Sequence, residues 1–213
     1  MRLKNIITKL AILTISLCSA YLLISTQTYV IFFDTQFFSR QFQQLQTTDI
    51  HPDAHEEAHI LMDYWHSNEQ FVPSDRYTMA EKEHLYDIKQ LLQQVYLSRY
   101  IVSGYILVAI TLLYRYRQRI HIPHIIHTTA VITAITLWCI TLLGYLQREQ
   151  LFEQFHHIFF VDNRTFPADS YLIQLYPESF FQNAAMMIAQ RVILSIVLVY
   201  FIFFIWNTYV QKK

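Results

Sequence analysis

Ten histidines fall into four groups along this chain, and their spacing decides which of them chemistry can use. In HEEAH, from His55 to His59, two imidazoles stand four residues apart with Glu56 between them. On a helix this puts both rings on one face, which is the zinc-protease arrangement with the glutamate as base. A catalytic zinc also needs a third protein ligand and an open position, for which Glu81 or Glu83 is available. His51 and His66 continue the same polar spacing, as a solvated stripe does, and no protease pattern follows His59. The expectation here is a solvated polar helix, with no metal. His84 and Asp87, three apart, form the second group, and His156 with His157 the third. Two facing imidazoles can serve as base and acid near neutral pH, because their intrinsic pKa is about 6.5. No serine sits on a nucleophile elbow and neither cysteine lies outside an apolar run, so acid–base chemistry is better supplied than a covalent acyl-enzyme. His121, His124 and His127, beside a cluster of arginines, read as interfacial polar residues.

The elements that must position these groups are membrane-spanning. Hydrophobic residues make up 54% of the chain and there are only two glycines, and several apolar runs approach the length of about 20 residues that crosses a bilayer. The spans are expected at about 6–29, 97–116, 125–146 and 184–210. The first is longer than the apolar core of a signal peptide and reads as a retained anchor; Leu17 before Cys18 is too bulky for a lipobox. Cys18 and Cys139 both fall within spans, so no disulfide framework is expected. Arg115, Arg117 and Arg119 fill the link between the second and third spans, and both termini are basic. All acids lie between Asp34 and Asp87 or between Glu149 and Glu178. The positive-inside rule then puts both termini and the basic link in the cytoplasm. The fold class is a mainly α membrane protein with four transmembrane helices. A small extracytoplasmic head is built from two outer segments, about 30–96 and 147–183.

Within the first outer segment, Pro52 and Asp53 open a short helix that carries HEEAH to about Trp65. Thr78-Met79-Ala80-Glu81 fits a capping box, and Leu85, Ile88, Leu92, Val95 and Tyr96 follow at helical spacing, so His84 and Asp87 share one face of a helix that continues into the second span. The second outer segment, FHHIFFVDNRTFPADSYLIQLYPESFF, is rich in aromatics, as a membrane interface or an acyl-accepting surface would be. Residues 158–161 and 171–175 are candidates for short strands or, equally, for interfacial coil, and Pro177-Glu178 for a helix start. Arg99 and Arg191, near the outer ends of two spans, either snorkel or hold a lipid carbonyl or headgroup.

EKEHLYDIK, from Glu81 to Lys89, and the aromatic segment from Phe155 to Phe181 resemble the bacterial lipoprotein intramolecular transacylases. The matching residues are Glu81, His84, Leu85 and Asp87, then Phe155, His156, Ile158, Phe159, Phe160, Asp169, Leu172, Ile173, Tyr176 and Pro177. The layout of spans and loops is similar over nearly the whole chain. The resemblance implies a multi-pass protein of the bacterial cell membrane. It would move the sn-2 acyl chain of a diacylated lipoprotein to the amine of its N-terminal cysteine, at the outer leaflet and without a cofactor. It also implies that His84 and His156 are catalytic, with Asp87 and Asp169 in support. Arg99, Arg191, Phe159, Phe160 and Tyr176 are then the candidates for substrate contact, and diacylated lipoproteins and membrane lipid are the partners. Two other classes stand beside this one: a zinc metalloprotease built on HEEAH, and a non-catalytic membrane partner using only its aromatic surface. No glycine-rich phosphate loop and no basic patch suited to nucleic acid is present.

Overall fold

Helix α1 (Arg2–Phe32) comes first, and the regular elements among the described residues are all helices. The computed structural model describes residues 2–115, 122–146, 154, 157 and 166–210. After α1 come α2 (Thr35–Gln44), α3 (Thr47–Ile50), α4 (Ala54–His66), α5 (Met79–Arg115) and α6 (Ile122–Leu146). The order closes with α7 (Tyr171–Leu175) and α8 (Glu178–Val210). No strand occurs among the described residues. Residues 171–175, a candidate strand by sequence, are one helical turn: the Ser170 hydroxyl accepts from the Ile173 N–H and caps it, while Leu172 and Leu175, three apart, are buried. The other candidate, 158–161, lies outside the described residues.

Two compact units divide the chain. The first comprises Met1–Gln27, Leu97–Leu146 and Ala189–Lys213. Among the described residues, three helices are long and apolar enough to cross a membrane, over Ile6–Phe32, Met79–Arg115 and Glu178–Trp206; a shorter apolar run covers Ile125–Ile140. Leu107, Trp138, Phe204 and Trp206 of this unit are exposed, as side chains that meet lipid are. Several of its hydroxyls are satisfied within their own helix, as a low-dielectric surround favours. The hydroxyls of Ser103, Thr111, Thr133, Thr136 and Ser195 each donate to the carbonyl four residues back. Between helices, Tyr105 donates to Thr14 at 2.9 Å and the Gln27 amide to Ser195 at 3.2 Å. His127 and Tyr200 are 3.1 Å apart, and the hydroxyls of Tyr21 and Ser98 pair.

The second unit, Thr28–Tyr96 and Gln147–Ile188, has an aromatic core. Phe37, Phe38 and Phe42, on one face of α2, meet Tyr176 and Phe180 with centroids 5.1–6.3 Å apart, mostly edge-to-face, with Phe42 tilted on Tyr176 and stacked on Phe180, geometries that the ring quadrupoles favour. Polar bonds tie the N-terminal part of this unit to its C-terminal part. His51 Nε2 lies 2.7 Å from Gln174 Oε1, and the Asn183 amide donates to Gln41 Oε1 at 2.6 Å.

Helix α4 spans the length its sequence predicts but is not the solvated stripe expected of it. Ala58, Leu61, Met62 and Trp65 are core residues, and Glu57 is buried among them. The apolar positions recur at helical spacing beneath the polar ones, so HEEAH is the outer edge of a core helix.

Candidate active site

The start of α5 holds the first group of candidates in place. Thr78 and Glu81 form the capping box their spacing predicts. The Glu81 N–H donates to Thr78 Oγ1 at 3.3 Å, and Glu81 Oε2 accepts from the Thr78 N–H at 2.7 Å and from its hydroxyl at 2.8 Å. The other oxygen, Oε1, accepts from the backbone N–H of Leu172 at 2.9 Å. One carboxylate, 1% exposed, thus satisfies the beginnings of both α5 and α7. This joins the two motif-bearing segments, which lie 91 residues apart. Sequence reading found the cap but not the bond to α7, which depends on tertiary placement.

His84 follows Glu81 by one turn on the same face. It is 8% exposed and its ring packs against Phe166, with centroids 5.4 Å apart at 54°. Asp87, a further turn along, is half-buried. The first histidine therefore sits against the segment that leads away from the second. His156, Phe159 and Phe160 lie outside the described residues; their neighbour His157 is exposed.

The other expected site residues are distributed differently. Asp169 is exposed in the turn before α7, where the Ser170 N–H donates to the Pro167 carbonyl at 3.0 Å. Tyr176 is 5% exposed and belongs to the aromatic core rather than to an open surface for an acyl chain. Arg99 and Arg191 are half-buried in the first unit, on α5 and α8.

A second polar cluster underlies the site. Glu57 Oε1 accepts from the Ser74 hydroxyl at 2.9 Å, and Arg76 pairs with Asp53 at 2.8 Å. These bonds fasten the 71–77 turn to α4, directly before the Thr78 cap. Burial pushes the Glu57 carboxyl above its ordinary range and outweighs the lowering by Ser74. Tyr77 and Tyr176 are raised by burial as well, with smaller rises from Tyr176 and Glu57 at Tyr77 and from Glu57 and Tyr171 at Tyr176, where Tyr77 acts in the lowering direction. Neither hydroxyl makes an aligned hydrogen bond.

HEEAH does not gather a metal site among the described residues, where no three His, Cys, Asp or Glu side chains cluster. His55 lies beside Ser39, with Nδ1 3.4 Å from Oγ, and against the Phe42 ring; His59 is exposed.

A family model described as the lipoprotein intramolecular transacylase Lit matches residues 12–181. Solved structures of the membrane integral Lit from Bacillus cereus share the fold. A histidine-to-arginine variant and a histidine-to-alanine variant of that protein each superpose with a TM-score of 0.83 at 15% identity. Both matches cover 100% of this chain and 97% and 99% of the other. A third Bacillus cereus structure gives 0.79 at 17% identity, covering 98% of this chain and 100% of that one. No curated protein matches the chain in sequence.

Proposed function

The chain belongs to the lipoprotein intramolecular transacylase family, and from that premise we propose how its own residues carry out the transfer. The protein is an acyltransferase that moves an acyl group within a lipoprotein. In the proposed reaction the α-amine of the diacylglyceryl cysteine loses a proton and attacks the carbonyl carbon of the sn-2 ester. A carbon–nitrogen bond forms and the intermediate is tetrahedral. As it collapses, the bond to the glyceryl oxygen breaks and that oxygen takes up a proton. The product is the N-acyl, lyso-form lipoprotein, with every atom of the substrate retained.

His156 takes the proton from the amine. His84 donates to the developing oxyanion or to the departing glyceryl oxygen, and Asp87 orients His84. Each proton transfer of this kind contributes roughly 10²–10⁴-fold to rate. Donor and acceptor share one molecule, so holding the amine near the ester supplies much of the remainder. The observation that carries the reading is the burial of His84 against Phe166, beside the Glu81 bond to α7. That arrangement gives the imidazole a fixed direction at the junction of the two motif segments.

The protein is membrane-integral by family and by its apolar helices. The further proposal is four spans with both termini cytoplasmic, the segment 125–146 being the additional one, and a reaction at the outer face of the bacterial cell membrane. Its support is the confinement of all acids to two segments, and the cluster of Arg115, Arg117 and Arg119 without an acid in the link between the second and third spans. The substrate is a diacylated lipoprotein, approached from membrane lipid with help from Arg99, Arg191, Phe159 and Phe160.

The test is mass spectrometry of lipoprotein N-terminal peptides from cells expressing the wild type, His84→Ala or His156→Ala. The expected result is lyso-form with wild type and at least a hundredfold less with either variant. Undiminished N-acylated peptide from both variants at equal protein level would refute the assignment.

A further inference from the structure

The motif left unused by acyl transfer borders a groove of its own. Between α2 and α4 lies an open cavity of about 410 Å³ lined by Thr35, Gln36, Ser39, Arg40 and His59. Every lining side chain is polar, none is acidic, and two can carry positive charge. Arg40 is the only Lys or Arg between Lys9 and Arg76. The next arginine in sequence, Arg76, is neutralised by Asp53 at 2.8 Å. Arg40 is exposed and has no ion pair among the described residues. The nearest acid in sequence, Asp34, accepts from the Phe37 N–H at 3.0 Å as the cap of α2. Glu56 and Asp63, three before and four after His59 on α4, do not line the groove.

We propose that this groove is a phosphate-binding site filled by the phosphodiester of a membrane phospholipid. The guanidinium presents a planar fork of donors that matches phosphate oxygens two at a time. The Thr35 and Ser39 hydroxyls, the Gln36 amide and the His59 ring add donors around it. The lipid source follows from position, because only Phe33 and Asp34 separate α2 from the end of apolar α1. His55 braces Ser39 from behind, which gives both histidines of HEEAH a part in the groove rather than in a zinc site.

The assignment does not rest on the acyl-transfer reading. It is tested on the full-length protein in a non-ionic detergent, by native mass spectrometry with added phosphatidylglycerol and with a diacylglycerol of the same chains. Melting temperature with inorganic phosphate alone is measured in parallel. The expected result is phosphatidylglycerol retained by wild type, at least tenfold less by Arg40→Glu and several-fold less by His59→Gln, all three proteins melting alike without lipid. Diacylglycerol is expected not to discriminate among them. If inorganic phosphate raises the melting temperature of wild type but not of Arg40→Glu while phosphatidylglycerol is not retained, the anion site stands and the lipid occupant is overturned. Equal retention of phosphatidylglycerol by wild type and Arg40→Glu overturns the site itself. Lipoprotein acyl transfer followed in the same samples reports on His84 and His156 separately.

Discussion

The beginnings of α4 and α5 carry nearly the same residue types, glutamates and histidines at helical spacing, and bury one glutamate each. At α5, both oxygens of Glu81 are occupied, by Thr78 and by the Leu172 N–H. At α4, Glu57 gives one oxygen to Ser74, and its other oxygen, equally buried, has no hydrogen-bond partner. The contrast separates two uses of a buried carboxyl. A fully bonded one organises the backbone around it and lends that rigidity to its neighbour His84. A half-bonded one keeps its desolvation cost and makes its unit sensitive to proton concentration.

The most damaging way to break this comparison is Glu81→Ala. It deletes a cap, commonly worth about 1 kcal/mol, and leaves the buried Leu172 N–H unsatisfied, which costs about 1–3 kcal/mol more. The expected loss of folding stability is on the order of 2–4 kcal/mol, read by denaturant titration of purified protein. Acyl transfer is expected to fall with it, since His84 loses the turn that holds it. An unchanged unfolding midpoint would mean that Glu81 does not join the two segments in solution.

A smaller effect with a defined sign comes from Glu57. Its folded pKa is raised above the ordinary 4.5, chiefly by burial. The folded state therefore binds this proton more tightly than the unfolded state does. The contribution to stability is complete below about pH 4.5 and is lost as pH rises through the folded value. Wild type is expected to lose part of its stability as pH rises across that window, and Glu57→Gln, which cannot ionise, is expected to lose less. Parallel curves for the two proteins would show that Glu57 is not the group responsible.

How far these features can be read from sequence follows the range of the interaction behind each one. The capping box at Thr78–Glu81 and the helix start at Pro177-Glu178 depend on neighbours within a turn, and both are legible. Three long apolar helices are legible because hydrophobic length is a local property. The bond from Glu81 to Leu172 is not, since nothing in either segment announces a partner 91 residues away. Residues 171–175 misled for a related reason: YLIQL has strand-like composition, and a single Ser170 cap together with the burial of Leu172 and Leu175 decides for a helix. HEEAH misled in the opposite direction. Its polar residues conceal Ala58, Leu61 and Trp65, whose burial makes α4 part of the core.

Tyrosine hydroxyls give a finer test of satisfied against unsatisfied burial. Tyr64 donates to the Gln70 carbonyl at 2.8 Å and its phenol is pushed up to about 12, mainly by burial. Tyr176 is equally enclosed in the core but has no aligned partner. Tyr64→Phe is expected to cost about 1 kcal/mol, whereas Tyr176→Phe is expected to be neutral or slightly stabilising, because it removes a desolvated group with no bond to lose. Equal destabilisation by both, in the same denaturant titration, would show that Tyr176 is bonded in solution.

The smallest expected effect falls at the α4 end of the comparison. In a zinc-protease reading Glu56 is the base of HEEAH, and Glu56→Gln would abolish activity. In the structure Glu56 is exposed and touches neither the Glu81–His84 junction nor the α2–α4 groove. Its substitution is therefore expected to leave lyso-form production unchanged within about twofold, and stability within about 0.5 kcal/mol, as for other surface positions. Loss of lyso-form in Glu56→Gln with its folding intact would return HEEAH to the chemistry. The α4 glutamates would then belong with Glu81 and His84, and the distinction between the two helix beginnings would fail where it is most exposed to test.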